Sequence, residues 1–283
     1  MKSPARICIL GARGMLGTDL MACCRTLGIE VIGVDLPEFD LTNPEHLKNM
    51  VQENSLIVNC AAYTNVDRAE QEEEAAFQVN GYAVGTLGEI AAEADVPIIH
   101  ISTDFVFDGK LNRPYIETDK PNPINVYGCS KLEGELNIGQ SGCRCCILRV
   151  EWTYGRGGAN FVKKILEAAR TRRALRVVDD QIGSPTATRE VADVICRIIR
   201  LDTFPEGIYH VAAEGYTSRY EMARFLCRMK DITVPVEPCR TADFSSPAQR
   251  PLNSRFHCTK LESLLGRTMR PWQDPLKEYL EQL

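Results

Sequence analysis

Gly11, Gly14 and Gly17 are spaced G-x-x-G-x-x-G between a short apolar run, Arg6–Leu10, and a helical pattern, Met15–Leu27, that ends at Gly28. No other feature constrains the fold as strongly. A glycine-rich turn at a strand–helix junction lets the backbone approach a ligand closely. The helix that follows offers unpaired N–H groups and a partial positive charge. Such a turn can also be merely tight, and the spacing differs from G-x-G-x-x-G. Its place at the first strand–helix junction is what points to a dinucleotide site.

The pattern downstream is of the same kind. Glu30–Asp35, Leu56–Asn59, Pro97–Ser102 and Cys145–Arg149 read as further strands. Thr42-Asn43-Pro44-Glu45 reads as a capping box with an early proline, starting a helix through Val51. Helices are expected over Glu72–Ala94 and Val126–Leu136, with Glu70–Glu74 as a solvated first turn favoured by the helix dipole. Alternating strands and helices predict an α/β fold, a Rossmann-type doubly wound parallel sheet. The second half is less regular. Helices are expected at Asn160–Arg170, Thr188–Leu201, Pro275–Gln282 and from a capping box at Ser218–Glu221 to Lys230. Leu175–Val178 and Gly207–Ala212 read as strands, and Thr241–Phe256 as a loop.

Composition removes whole classes of function. With 283 residues, 44% hydrophobic and 25% charged, the chain is ample for a sizeable core and is not a disordered or fibrous protein. A formal charge of −5 and no basic stripe argue against nucleic acid as a partner. No apolar run approaches a membrane span, and Met1–Arg6 shows no signal-peptide pattern, so a cytoplasmic location is expected. The twelve cysteines are read as thiols rather than disulfides. Cys143-Arg144-Cys145-Cys146 runs into a strand, and Cys23-Cys24 lacks the ligand gap of a zinc site, so no metal is expected.

The chemistry gathers at three places. Asp35 ends the second strand, where an acid accepts hydrogen bonds from ribose hydroxyls and repels a 2′-phosphate. Arg13 can oppose that preference, so NADH and NADPH both stay open. Tyr127 and Lys131 lie four apart, on one face of a helix. A lysine cation beside a phenol lowers its pKa and lets it hand a proton to a carbonyl oxygen. Thr103 follows the fourth strand, in Ser102-Thr103-Asp104-Phe105-Val106-Phe107, where the ligand crevice of a doubly wound sheet lies.

Together these residues resemble the extended short-chain dehydrogenase/reductase family, and within it the dTDP-4-dehydrorhamnose reductases, over nearly the whole chain. The resemblance is carried by Gly11–Gly17, Ala61-Ala62-Tyr63-Thr64-Asn65-Val66-Asp67-Arg68-Ala69-Glu70 and Ser102–Gly109. It continues in Asn125-Val126-Tyr127-Gly128, Ser130–Glu135, Trp152 with Tyr154-Gly155, Asn160-Phe161, Asp180–Thr186 and Arg250-Pro251-Leu252-Asn253-Ser254.

The resemblance implies roles residue by residue. Gly11, Arg13, Gly14, Met15, Leu16 and Gly17 would hold the cofactor pyrophosphate end. Asp35, Asp40 and Leu41 would surround the adenosine. Ala61, Ala62, Tyr63 and Thr64 would line the cofactor groove, which Tyr127 and Lys131 would complete. Thr103, Tyr127 and Lys131 would be catalytic, and Thr103, Asp104 and Trp152 would touch a nucleotide-sugar. The implied reaction is reduction of the 4-keto group of dTDP-4-dehydro-L-rhamnose to dTDP-L-rhamnose. The implied division is 1–151 with 182–214 for the cofactor, interleaved with 152–181 and 215–283 for the substrate. A homodimer stays open.

Glu151 departs from the family, which commonly carries a small residue or serine there. A carboxylate at that place could face the substrate, repel a phosphate or turn to a basic neighbour, and it puts the substrate in question. The competing readings are a reductase, dehydratase or epimerase of another nucleotide-sugar, or a non-catalytic regulatory subunit like that of methionine adenosyltransferase. A dehydratase would place a second acid after Asp104, where this chain has Phe105. A regulatory homologue would be free to lose Thr103, Tyr127 and Lys131, and all three are present.

Overall fold

A six-stranded parallel sheet organises the molecule, seen in a computed structural model that describes residues 6–283. Met1–Ala5, part of the segment read as lacking a leader pattern, lie outside the described residues. The strands are β1 (Ile7–Leu10), β2 (Val31–Val34), β3 (Leu56–Asn59), β4 (Ile98–Thr103), β5 (Cys145–Val150) and β6 (Gly207–Val211). Their order across the sheet is β2-β1-β3-β4-β5-β6. Ile9 pairs with Gly33 on one side and Val58 on the other. Every residue of β1, β3 and β5 is buried, because helices cover both faces and leave no polar side to the sheet. The chain reverses direction of travel between β1 and β3. That reversal opens a crevice at the carboxyl ends of the strands.

The two faces follow from strand periodicity. Ile7 and Ile9 point into a core with Leu20, Leu148, Val191 and Ile195, under the helices Met15–Thr26 and Thr188–Ile199. Cys8 and Leu10 point the other way, into a core with Leu47, Ile57, Leu87, Ile98 and Ile138. The first helix stops as expected at Gly28, whose φ is +66°. There Gly28 N–H bonds to Arg25 O and Ile29 N–H to Cys24 O, the paired bonds of a Schellman end. A further core gathers Val162, Leu166, Leu175, Val177, Met222, Leu226 and Leu276. It includes a two-stranded parallel sheet, Leu175–Val178 with Val236–Cys239. Leu261 and Met269 pack instead into the core under β1. All twelve cysteines carry free thiols.

Several local expectations are corrected. The cap of the helix Pro44–Gln52 is Asn43, whose Oδ1 accepts from Glu45 and His46 N–H, while the Thr42 hydroxyl donates to Asp40. The helix from Val126 runs on to Gln140, because Ile138 finds a buried place beside Cys145 and Ile147. The long helix over Glu72–Ala94 is broken into Glu73–Phe77, a π-helical turn at Gln78–Tyr82, and Ala83–Glu93. The acidic run is only partly a solvated first turn. Glu73 and Glu74 sit in that turn. Glu70 accepts the N–H of Val126 at 2.8 Å, and Glu72 accepts from Tyr63 OH at 2.7 Å and Arg68 Nε at 2.6 Å. The short strands Thr153–Tyr154, Ile182–Gly183, Thr186–Ala187 and Thr217–Ser218, and the strand Val236–Cys239, carry no local sequence pattern, since each is fixed by a partner far along the chain.

Candidate active site

A cavity of about 630 Å³ opens at the carboxyl ends of the strands. Its floor is the glycine turn. Gly11 has φ +77°, and a Cβ there would lie 2.6 Å from the backbone nitrogen of Ala61. A Cβ on Gly17 would run into the carbonyl oxygen of Gly11. Gly14 is the N-cap of the helix Met15–Thr26, so no side chain caps it, and its first turn carries no acid. The unpaired N–H groups of that helix end are thus left to an anion from outside, which is the fit a dinucleotide pyrophosphate needs.

The remaining cofactor-side residues are placed as follows. Met15, Leu16, Asp35, Asp40, Leu41, Ala61, Ala62 and Thr64 line the cavity. The Asp35 carboxylate accepts the N–H groups of Arg13 and Leu36, both at 2.8 Å. The Arg13 guanidinium reaches Leu36 O at 2.6 Å and pairs with Glu38 at 2.9 Å, in an adjoining hollow that Asp35 also lines. Tyr63 stands apart from the lining, with its hydroxyl on Glu72. Its backbone is held by Asn80, which accepts the Tyr63 N–H at 2.8 Å and donates to Tyr63 O and Ser130 Oγ at 3.0 Å. Asn80 lies in the π-helical turn, and that distortion carries a fully buried amide to this place.

Thr103, Tyr127 and Lys131 come together on one wall. Thr103 closes β4, and the helix Val126–Gln140 carries the other two. Asn125 caps that helix, accepting Gly128 N–H at 2.7 Å and donating to Gln249 O at 2.7 Å. Gly128 lets the helix lie directly on the strand end, since a Cβ there would collide with Phe105 O. The Phe105 ring meets Tyr127 edge-on at 5.6 Å. Desolvation pushes the Tyr127 phenol up to about 12, with Asp104 adding to the rise and a hydrogen bond with Thr103 opposing it. A cationic lysine was expected to lower that pKa. Lys131 Nζ instead donates to Ile101 O at 2.7 Å and meets His100 Nε2 at 3.2 Å, so burial of the phenol wins. A phenol of this kind is fully protonated at neutral pH, the state a proton donor requires.

The same cavity also holds charge that the sequence did not disclose. Trp152 lines the cavity in a left-handed backbone conformation, φ +45°, strained for a bulky residue. The guanidinium of Arg219 stacks 3.6 Å from its ring centre. Among the described residues Arg219 has no carboxylate within ion-pair distance, and it faces the same cavity. Gly183 gives the indole room, for a Cβ there would lie 2.6 Å from it. Asp104 is buried, hydrogen-bonded by Thr103 at 3.1 Å and by Ser254, and burial pushes its carboxyl up to about 6. Glu151 does not line the cavity. It is fully buried beside Gly183, where among the described residues no side chain hydrogen-bonds its oxygens and the Ser184 and Phe256 backbone lies near them. Burial, with Asp104 beside it, holds its pKa well above the carboxylate range. Burial thus favours the neutral acid at Glu151 over an anion facing a phosphate.

Arg250, Asn253 and Ser254 bring a distant loop to the site. Arg250 pairs with Asp67 at 2.7 Å, Asn253 donates to Leu111 O and Arg113 O, and Ser254 donates to Asp104. The resemblance marked these residues without assigning them a place. No group of three or more His, Cys, Asp or Glu among the described residues could hold a metal, and no described helix is long and apolar enough to cross a membrane.

A doubly wound parallel sheet, an uncapped glycine turn and a hydroxyl–phenol–lysine cluster at the strand ends define an oxidoreductase of the short-chain dehydrogenase/reductase class. The family model of the RmlD substrate binding domain matches residues 5–283, and the chain belongs to that family. A dTDP-4-dehydrorhamnose reductase from Sinorhizobium fredii is 38% identical over 280 residues, covering 95% of this chain and 94% of that protein. The solved dTDP-4-dehydrorhamnose reductase from Clostridium acetobutylicum superposes with a TM-score of 0.93 at 35% identity, covering 98% of this chain and 99% of that one. The enzyme from Bacillus anthracis, solved in complex with NADP, gives a TM-score of 0.93 at 33% identity and covers 100% of both chains.

Proposed function

We propose that this chain reduces the 4-keto group of dTDP-4-dehydro-L-rhamnose to give dTDP-L-rhamnose, using NADPH or NADH. The observation that carries the reading is the Tyr127 phenol and Thr103 hydroxyl in one cavity with the uncapped glycine turn. The open end of the helix Met15–Thr26 would hold the cofactor pyrophosphate, and Asp35 the adenosine ribose. When bound, the nicotinamide supplies a hydride. Thr103 orients the substrate carbonyl by its hydroxyl. Tyr127 gives its phenolic proton to the carbonyl oxygen as the alcohol forms. Lys131 steadies the phenolate that remains. Arg219 and Trp152 face the side where a nucleotide diphosphate would enter, and a guanidinium is suited to its oxygens.

Phe105 after Asp104 leaves no second acid there for dehydration. We assign residues 1–151 and 182–214 to the cofactor and 152–181 and 215–283 to the sugar nucleotide, and place the enzyme in the cytoplasm. The test mixes the purified chain with dTDP-4-dehydro-L-rhamnose and follows NADPH, then NADH, by absorbance. Oxidation with formation of dTDP-L-rhamnose supports the reading. Intact cofactor binding without oxidation would turn it toward another 4-keto nucleotide-sugar or a non-catalytic role.

A further inference from the structure

Behind the catalytic lysine runs a short chain of buried polar groups that the mechanism above does not use. Asn59 and His100 are fully buried, and Lys131 is nearly so. Asn59 ends β3 and His100 lies within β4. Asn59 Oδ1 accepts the backbone N–H of Ala61 at 3.1 Å. That bond fixes the amide, because a flipped Nδ2 would face another donor. Asn59 Nδ2 is thus the atom that meets His100 Nδ1, at 3.2 Å. A nitrogen facing a donor must accept, so Nδ1 is bare. Burial, the larger cause, by itself disfavours the charged ring and holds His100 well below its ordinary pKa, so the ring is neutral and its one proton sits on Nε2. Nε2 points at Lys131 Nζ, 3.2 Å away. An ammonium has no lone pair to receive that proton, whereas a neutral amine does.

We propose that Asn59 and His100 form a positioning relay that presents an N–H to Lys131, so that in weakly alkaline solution its side chain gives up a proton to become a neutral amine and takes one back from solvent when the cofactor binds. The amine then donates to Ile101 O, accepts from His100 and keeps one N–H for the cavity. The other groups facing Lys131 are Cys60 beyond β3 and Tyr127 and Glu135 on its own helix. Glu135 favours the ammonium, but its carboxylate is already bound by the Arg149 guanidinium at 2.6 Å and by Ser102. Cys60 is itself held as a thiol by burial. Burial draws Lys131 down to about 8, against Glu135 and Cys60, which both raise it. An incoming pyrophosphate dianion in the same cavity reverses the balance and raises it. The inference rests on the cofactor reading of the previous section.

Two measurements on the unaltered chain test it. The first is the tautomer of His100 by ¹⁵N NMR, with His100→Gln serving only to assign its signal among the four histidines. A proton on Nε2 is expected. A proton on Nδ1, or on both nitrogens, overturns the relay. The second is calorimetry of NADPH binding in buffers of different ionisation enthalpy. Uptake approaching about one proton per site near pH 8.5, fading toward pH 6, is expected by linkage. A count near zero across that range overturns the neutral lysine. Asn59→Asp should reverse the chain, since a carboxylate accepts from Nδ1–H and leaves Nε2 to accept from an ammonium, abolishing the uptake. If neither NADPH nor NADH binds, it is the functional reading that fails, while the tautomer still decides the role of His100.

Discussion

In the proposed mechanism Tyr127 gives the proton that completes the alcohol, so its hydroxyl is the atom whose loss should be felt most directly. Tyr127→Phe keeps the ring against Phe105 and removes only that proton. Turnover should fall by about 10²- to 10³-fold, within the range for losing a general acid, while the Kd for NADPH changes little. Near-normal turnover in steady-state assays would sink the assignment. Glu151 behaves in the opposite sense, for its influence is on stability. Its pKa in the folded chain is raised above that of the unfolded chain. The contribution is therefore fully present below the unfolded value, near pH 4, and is lost as pH rises through the folded value. Glu151→Gln cannot ionise and fills nearly the same space. Thermal unfolding between pH 6 and 9 should show the wild-type Tm falling more steeply toward alkaline pH than that of the variant. Parallel slopes would mean that Glu151 is not a buried neutral acid.

The helix Val126–Gln140 turns a spacing into an active-site wall. Its i,i+4 repeat puts Tyr127 and Lys131 on one face, and that much follows from helical geometry. Where the face points depends on Asn125, which caps the helix and ties it to Gln249 across the chain. Asn125→Ala removes both bonds. A cost of about 1 to 2 kcal/mol is expected, read as a lower denaturation midpoint with unchanged m-value, together with reduced kcat as the phenol loses register with Thr103. Retention of both wild-type stability and wild-type kcat would show that packing alone aims this helix. The broken helix over Glu73–Glu93 teaches the complementary lesson. Its periodicity reads as continuous, yet the π-helical turn forms because Asn80 bonds the Tyr63 backbone, a partner 17 residues away.

The cofactor and nucleotide-sugar sites proposed above should each stabilise the chain on their own. Any ligand that binds the native state alone raises stability by RT ln(1 + [L]/Kd), about 2.7 kcal/mol at a hundredfold excess over Kd. NADPH and dTDP should each raise Tm, and together they should raise it further. Arg219→Ala should remove most of the dTDP increment and leave that of NADPH in place. Loss of both increments would mean that Arg219 supports the whole cavity instead of one ligand. An unchanged dTDP increment would remove Arg219 from the nucleotide site.

The residues legible in the sequence are those whose role is fixed within a few positions of themselves. The glycine turn announces itself because a helix must start immediately after it, and Gly28 because a left-handed residue ends that helix. Strand alternation predicts the parallel sheet for the same reason, since apolar runs bounded by helices must be buried on both faces. Tyr127 and Lys131 belong to this group as well. What lay beyond reach were contacts whose partners are remote in the chain. Ser254 meets Asp104 across 150 positions, and Arg250 meets Asp67 across 183. Arg219 reads as an ordinary first-turn arginine until folding stacks it on Trp152. The ionisation of Lys131, Asp104 and Glu151 was equally hidden. A pKa is set by the dielectric and the donors surrounding a group, and here these arrive from β3, β4 and a loop near the end of the chain only when the tertiary structure closes.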